Sequence, residues 1–596
     1  MKHSKNRWTA VIPVLVVISL CSLLTLADDV VVVPHTATTV LDVELESDTG
    51  ESIGAQITRT QSVEQIPFFV EYEIVSGLPT DLVEWTFVPP NASGEVSSTE
   101  RSVRFVSTSN ADVHTGTLSV TRDGVTYGWS EELDFPLHNQ TEILLDASQF
   151  GNGEIASATW SASNGDPTDE VTFPIEDRTS ASATLVSAWP NALDLTCIMH
   201  LADGTDETAS VRALLYFRDG PPFEKRGIAG SFFETWTNRE LASLLEDLYE
   251  TMNYVGANTF VTAINSFYGY PDDAGNFTIE ALSRPDLRGH TASPTQLDAL
   301  IAGAFSVGLS VDVSFCVMPY WNDPAIGREY QSTGGGPHKG FMMTDEFLYG
   351  DGEGLEALFL EYIPLLARHP NISTVFLGAE VSDVDNLGGP VGQAFYRSII
   401  TAYRAQGYNG VLTYGPCFQF YDNSWCRNNL MNRSSTGIPF DELDCFGGTL
   451  YVPLAFREGE QPTAPAMLDR ARAWIRDQLL PLYETYNKPI YIADMYCFAQ
   501  DGCSFATVWG DITGPADRPE QRSWISAWLR ALSEANHLAE DSWIEGLSVC
   551  AYRLLPEGYY GRLEEHAMQA YLNPQYGRDD LRELLRCYFR DSPLVQ

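Results

Sequence analysis

Two carboxylates stand where they can do chemistry. The run Val375-Phe376-Leu377 is apolar and β-prone, and it ends in Gly378-Ala379-Glu380. A second run of the same form, Pro489-Ile490-Tyr491-Ile492-Ala493, ends in Asp494. Near-continuous apolar runs of this length read as strands of a parallel sheet covered on both faces. A carboxylate at the C-terminal end of such a strand sits where a (β/α)8 barrel keeps its reactive groups. Two carboxylates from separate strands can flank one glycosidic bond. One protonates the leaving oxygen, and the other attacks the anomeric carbon or activates a water. The competing reading of Glu380 is a strand-end acid held in a structural salt bridge, and that of Asp494 is a structural or degenerate position.

The groups around them fit a cleft for a sugar chain. Tyr451 ends the run Gly448-Thr449-Leu450-Tyr451, and its phenol can orient a neighbouring carboxylate. Tyr414 ends another such run. Trp236, Tyr268, Tyr320, Trp321, Trp425 and Trp509 fall on expected loops at the same end of a barrel. Aromatic faces there can stack on the apolar face of a pyranose, although plain packing explains any single one equally. Asp383, Asp385 and Asn386 follow Glu380 as a polar group for hydroxyls or a cation, with a solvated loop as the simpler reading. Gly334-Gly335-Gly336 lacks the Lys-Ser/Thr of a phosphate loop. No Cys/His cluster has zinc spacing. The chemistry therefore calls for no metal and no organic cofactor.

The elements that must carry these residues follow from periodicity. From about residue 30 to 220 short Val-, Thr- and Phe-rich runs alternate with turn clusters such as Asp123-Gly124 and Asp203-Gly204, which predicts β-sandwiches. A break near Pro136 divides this region into two immunoglobulin-like modules, 30–136 and 137–219. Asp219-Gly220-Pro221-Pro222 reads as a linker. Beyond it strand and helix periods alternate. Strands are expected at 227–232, 257–263, 309–318, up to Glu380, 410–414, 445–451, up to Asp494, and 544–551. Helices are expected from Asn238, at 295–307, 355–368, 467–486 and 518–536. Eight strands with mostly helical crossovers predict an α/β (β/α)8 (TIM) barrel over 223–596.

At these residues the chain resembles the clan A glycoside hydrolases, most closely glycoside hydrolase family 113, the β-mannanase-like barrels. The likeness covers about residues 223–560. It rests on Phe376-Leu377-Gly378-Ala379-Glu380, on residues 410–414, 447–454 and 488–494, on Pro519-Glu520-Gln521 and on Trp543-Ile544-Glu545-Gly546-Leu547. The resemblance implies Glu380 as acid/base, the strand-seven carboxylate as nucleophile, and retention at a β-linked sugar. Where the family has Glu on strand seven, Asp494 stands here. Where it has a Trp that floors the sugar subsite on strand eight, Cys550-Ala551-Tyr552-Arg553 stands, and Tyr552 is a candidate substrate-binding residue. The expected substrate is a polysaccharide or oligosaccharide, with a mannan favoured. Two other functions fit the same residues: a non-catalytic carbohydrate-binding protein on a degenerate barrel, and a cell-surface structural or adhesion protein.

Composition narrows the partners. The chain has 36 Lys+Arg against 80 Asp+Glu, a formal charge of −44. That excess argues against nucleic acid and anionic membranes, both of which need a basic footprint. With 44% hydrophobic residues, 13 Trp, 27 Tyr and 29 Phe, the chain of 596 residues can build several cores. Lys2, Lys5 and Arg7 precede an apolar stretch from Ala10 to Leu26, the form of a signal peptide covering 1–27, with an uncleaved anchor as the alternative. The expected location is secreted, periplasmic or at the cell surface. Cys417/Cys426 and Cys497/Cys503 are close enough in sequence to close loops by disulfides.

Overall fold

The computed structural model describes residues 35–78, 82–88, 96–111, 113–150, 153–164, 175–231, 238–268, 294–319, 348–349, 354–379, 390–415, 437–495, 497, 499, 501–505, 517–537, 542–553 and 579–591. The chain forms two compact units. One holds the residues up to Pro221 together with those from Glu583 onward, and the other spans Pro222–Arg582. The division falls inside Asp219-Gly220-Pro221-Pro222, where Gly220 takes a left-handed φ of 86°.

The first unit is all-β. Strands within residues 36–133 form one eight-stranded sheet with antiparallel pairing. Alternation along His114–Arg122 buries every second residue, and Tyr72 stacks on Trp85 with centroids 4.8 Å apart. The Asp123-Gly124 turn joins His114–Arg122 to Val125–Leu133, and both turn residues take positive φ (53° and 81°), as a two-residue hairpin turn requires. Two further sheets of four strands follow. The expected break at Pro136 is bridged. Strand Gln65–Ile66 pairs in parallel with Glu142–Asp146, and one apolar core runs from Val43 to Leu215. The sequence predicts residues 223–596 as the barrel, but the described residues from Glu583 to Asp591 group with this β unit. The reason is local: Glu583 pairs with Arg212 (Nε to Oε2 2.7 Å), Arg586 donates to the Ala111 carbonyl, and Tyr588 meets Phe217 edge-on at 5.5 Å.

The second unit is a barrel of eight strands. In chain order these are Lys225–Ser231, Thr259–Tyr268, Ser310–Pro319, Ile372–Ala379, Val411–Gly415, Phe446–Leu450, Ile490–Met495 and Ile544–Arg553; they are called strands one to eight below. Parallel ladders join strands one to five in order, strand six to seven, seven to eight, and eight back to one. Strands five and six close the ring differently. Asp444 N–H donates to the Leu412 carbonyl at 2.9 Å, and Thr413 Oγ1 links the Cys445 carbonyl (2.8 Å) to Gly447 N–H (2.9 Å). Gly447 permits that approach, since a Cβ there would sit 2.7 Å from the Phe376 ring.

Helices Asn238–Val255, Pro294–Ser306, Leu355–Arg368, Pro390–Ala405 and Arg518–His537 lie between the strands. The long expected helix 467–486 starts earlier, at Ala464, where Thr463 caps it, and a π-turn at Ile475–Leu479 interrupts it. Among the described residues, no helix joins strands five and six, only the short turn Phe440–Glu442. Among the described residues no helix is long and apolar enough to cross a membrane. Residues 1–34, including the expected signal peptide 1–27, lie outside the described set.

The barrel interior is polar at the N-terminal ends of its strands. Lys225 Nζ lies 3.1 Å from Glu545 Oε1, donates to Thr374 Oγ1, and sits 5.3 Å from the Tyr491 ring centroid. Asp312, with no exposure, accepts from the Ser373 hydroxyl. Burial works against the Lys225 ammonium, but Asp312 and Glu545 outweigh it and hold its pKa above the ordinary lysine value. Burial pushes the Asp312 carboxyl up, against the pull of Lys225. Against this network Phe376, Cys445, Tyr491 and Ala493 pack together.

Candidate active site

Asp494 is the fifth residue of strand seven, and Tyr451 is the first residue beyond strand six. The register pairs Thr449 with Asp494 and Leu450 with Met495. Tyr451 therefore leaves its strand beside the half-buried carboxylate. The phenol, 1% exposed, donates to Asp494 Oδ2 at 2.6 Å. A charge-assisted bond this short fixes a carboxylate in one orientation.

The strand holding Asp494 carries an extra residue at that point. Gly448 faces Ile492 while Thr449 faces Asp494, and on the other side Leu547 faces Ile492 while Val549 faces Met495. Strand four does the same just before Glu380. Ser314 and Cys316 face Phe376 and Ala379, and Thr413 and Gly415 face the same two residues. Strand eight has its extra residue between Cys550 and Tyr552, which pair with Ala229 and Gly230. A bulge bends the strand and re-aims the next side chain, and bulges are common beside active sites. Gly378 lies in the strand-four irregularity, where a Cβ would meet the Tyr414 ring at 2.4 Å.

The other expected site residues fall into two groups. Tyr414 is buried; its ring packs edge-on to Tyr396 (5.7 Å) and Phe440 (6.4 Å), with Gly378 beneath it. It occupies the layer between strands and helices. Glu380, Trp236, Tyr320, Trp321, Trp425, Trp509, Asp383, Asp385, Asn386 and Gly334–Gly336 lie outside the described residues, as do the side chains of Tyr268 and Tyr552. The pairing of Cys417 with Cys426 lies outside them as well.

One aromatic on this rim escaped the sequence reading. Phe456, in the loop after strand six, is 76% exposed. Its backbone N–H donates to Glu460 Oε2 at 2.8 Å, and the Arg470 guanidinium lies 4.1 Å from its ring centroid. Arg470 also donates to Glu460 Oε1 and to the Leu454 carbonyl, both at 2.6 Å. The ring is thus held by a clasp while remaining open to solvent. Its position five residues past Tyr451 was the available signal.

Asp501, Asp517 and Glu520 gather their oxygens within 4.8 Å of one another. Asp517 caps the helix Arg518–His537, while Glu520 ties down the turn Asp501–Phe505. Asp517 Oδ1 accepts from Glu520 N–H at 2.9 Å, and Glu520 accepts from Gly502 and Ser504 N–H at 2.8 and 3.0 Å.

No family model matches the sequence, and no curated protein matches it. Solved structures do. A GH113 β-1,4-mannanase is 14% identical, covering 62% of this chain and 99% of its own, with a TM-score of 0.42. The GH113 β-mannanase AaManA from Alicyclobacillus acidocaldarius, in complex with ManMIm, is 17% identical, with coverages of 62% and 98% and a TM-score of 0.42. A β-glucuronidase from Ruminococcus gnavus is 9% identical over 89% of this chain and 65% of its own, with a TM-score of 0.34. The chain is similar to the GH113 β-mannanases, clan A glycoside hydrolases, over the share of its length that they cover.

Proposed function

We propose that the protein is an exported glycoside hydrolase that cleaves a β-linked, mannan-like polysaccharide or oligosaccharide with retention of configuration. Glu380 protonates the glycosidic oxygen, Asp494 attacks the anomeric carbon, and Glu380 then activates the water that releases the sugar. Tyr451 holds Asp494 in position for the attack. The observation that carries this reading is the Tyr451–Asp494 hydrogen bond between the C-terminal ends of neighbouring barrel strands. Asp is one methylene shorter than Glu, and the strand-seven bulge directly before it re-aims its side chain. In this reading the β unit serves as a spacer or binds the glycan.

The test is release of reducing ends from a panel of β-linked glycans that includes mannan, with the anomeric form of the first product followed by NMR. The reading expects turnover by the wild type, retained configuration, and losses of about 10³-fold or more in Glu380→Gln and Asp494→Asn. Unchanged turnover in both variants would remove the two-carboxylate scheme. Glycan binding without any wild-type turnover would make the chain a carbohydrate-binding protein.

A further inference from the structure

Cys497 and Cys503 follow strand seven directly, and their Sγ atoms lie 4.0 Å apart. Both side chains are fully buried, and both are thiols in this structure. The turn Asp501–Phe505 brings them together: Gly502 takes a φ of 81°, and Phe505 N–H donates to its carbonyl at 3.0 Å. Neighbours hold the turn on two sides. From the helix Arg518–His537, Gln521 Nε2 donates to the Cys497 carbonyl at 2.8 Å, and Glu520 accepts from Gly502 and Ser504. From the loop after strand six, Leu454 and Ala455 donate their N–H groups to the Ser504 carbonyl at 2.7 and 2.9 Å. That loop begins at Tyr451, the residue bonded to Asp494.

We propose that Cys497 and Cys503 form a modification site, converted to an intrachain disulfide that clasps the turn supporting the loop of Tyr451. The two thiols give up two protons and two electrons as the S–S bond forms. The oxidant is a disulfide of the glutathione class, whose own S–S bond breaks to release two thiols. The sulfurs must close from 4.0 Å to about 2.05 Å. Burial pushes the Cys503 thiol well up, which disfavours the reactive thiolate in the folded chain. The bond therefore forms while the turn is open and is shielded once the turn has packed. Cys197, Cys445 and Cys587, the other described cysteines with placed side chains, are buried thiols without a sulfur partner of this kind.

The experiment unfolds the purified full-length protein in denaturant and refolds it in graded mixtures of glutathione and glutathione disulfide. It is then quenched with acid, alkylated in denaturant and mapped by peptide mass. The expected map links Cys497 to Cys503, with the linked form about 2 Da lighter than the dithiol and unalkylated. The melting temperature of the oxidised protein should exceed that after dithiothreitol by about 3–6 °C, as expected for a closed loop this short. Cys503→Ser should abolish that difference. Alkylation of both cysteines at every ratio, or a link from either to another cysteine, would overturn the proposal. The wild-type map decides this without reference to enzymatic activity, so it stands if Cys503→Ser fails to fold and also if the glycosidase reading fails.

Discussion

Lys225→Met separates the stability end of the barrel from its chemical end. Met keeps most of the side-chain volume over Tyr491 and removes only the charge. At 3.1 Å and an effective dielectric near 20, the Lys225–Glu545 attraction is about 5 kcal/mol before desolvation. Removing one member of a buried pair typically costs about 3–5 kcal/mol, because the partner is left uncompensated. Asp312, wholly buried, is the most exposed to that loss. A carboxyl whose folded pKa is raised stabilises the fold most at low pH, and this contribution disappears as pH rises through the folded value. Without Lys225 that pKa rises further. The cost of the substitution should thus be about 3–5 kcal/mol above the folded Asp312 value and shrink as pH falls through it, by up to about 1.4 kcal/mol per pH unit. The assay is urea unfolding followed by tryptophan fluorescence and circular dichroism at several pH values. A Lys225→Met/Asp312→Asn pair should recover part of the loss. Turnover of the folded variant at 25 °C should stay within about twofold of wild type, since the network lies at the N-terminal strand ends. A loss below about 1 kcal/mol, or one independent of pH, would refute the argument.

Other outcomes follow from the site. Tyr451→Phe keeps the buried ring and deletes only the bond to Asp494; kcat should fall about 10–100-fold, corresponding to about 1.5–3 kcal/mol, with KM and the melting temperature little changed. Turnover within twofold of wild type would remove Tyr451 from the mechanism. Gly378→Ala places a Cβ 2.4 Å from the Tyr414 ring and should cost about 1–3 kcal/mol in urea unfolding; combining it with Tyr414→Leu should relieve the clash, and an additive loss would show that the ring is not what Gly378 accommodates.

Much of the barrel was legible in the chain. Parallel strands buried on both faces are long apolar runs, and the crossover helices carry a 3–4 apolar spacing. Runs such as Phe446–Leu450 and Ile490–Met495 could therefore be placed to within a residue or two. The strand-end carboxylates were visible because an acid directly after such a run is unusual. Less legible were contacts set by neighbouring strands. Tyr414 and Tyr451 both end apolar runs, yet one packs against Tyr396 and Phe440 while the other reaches Asp494. Local sequence has no term for that difference. It arises from register and from extra residues within strands, which are properties of pairs of strands.

The sequence by itself determined the element order, the linker at Pro221-Pro222, the acidic character and the residues capable of acid–base work. Periodicity and charge are local or summed quantities, so one chain suffices to read them. Only the tertiary structure decided that Asp494 meets Tyr451, that Cys497 lies against Cys503, that Lys225 sits between Asp312 and Glu545, and that residues 583–591 group with the β unit. Each of these joins residues through barrel closure or long-range packing. Their energies depend on distances and burial that no stretch of sequence specifies alone.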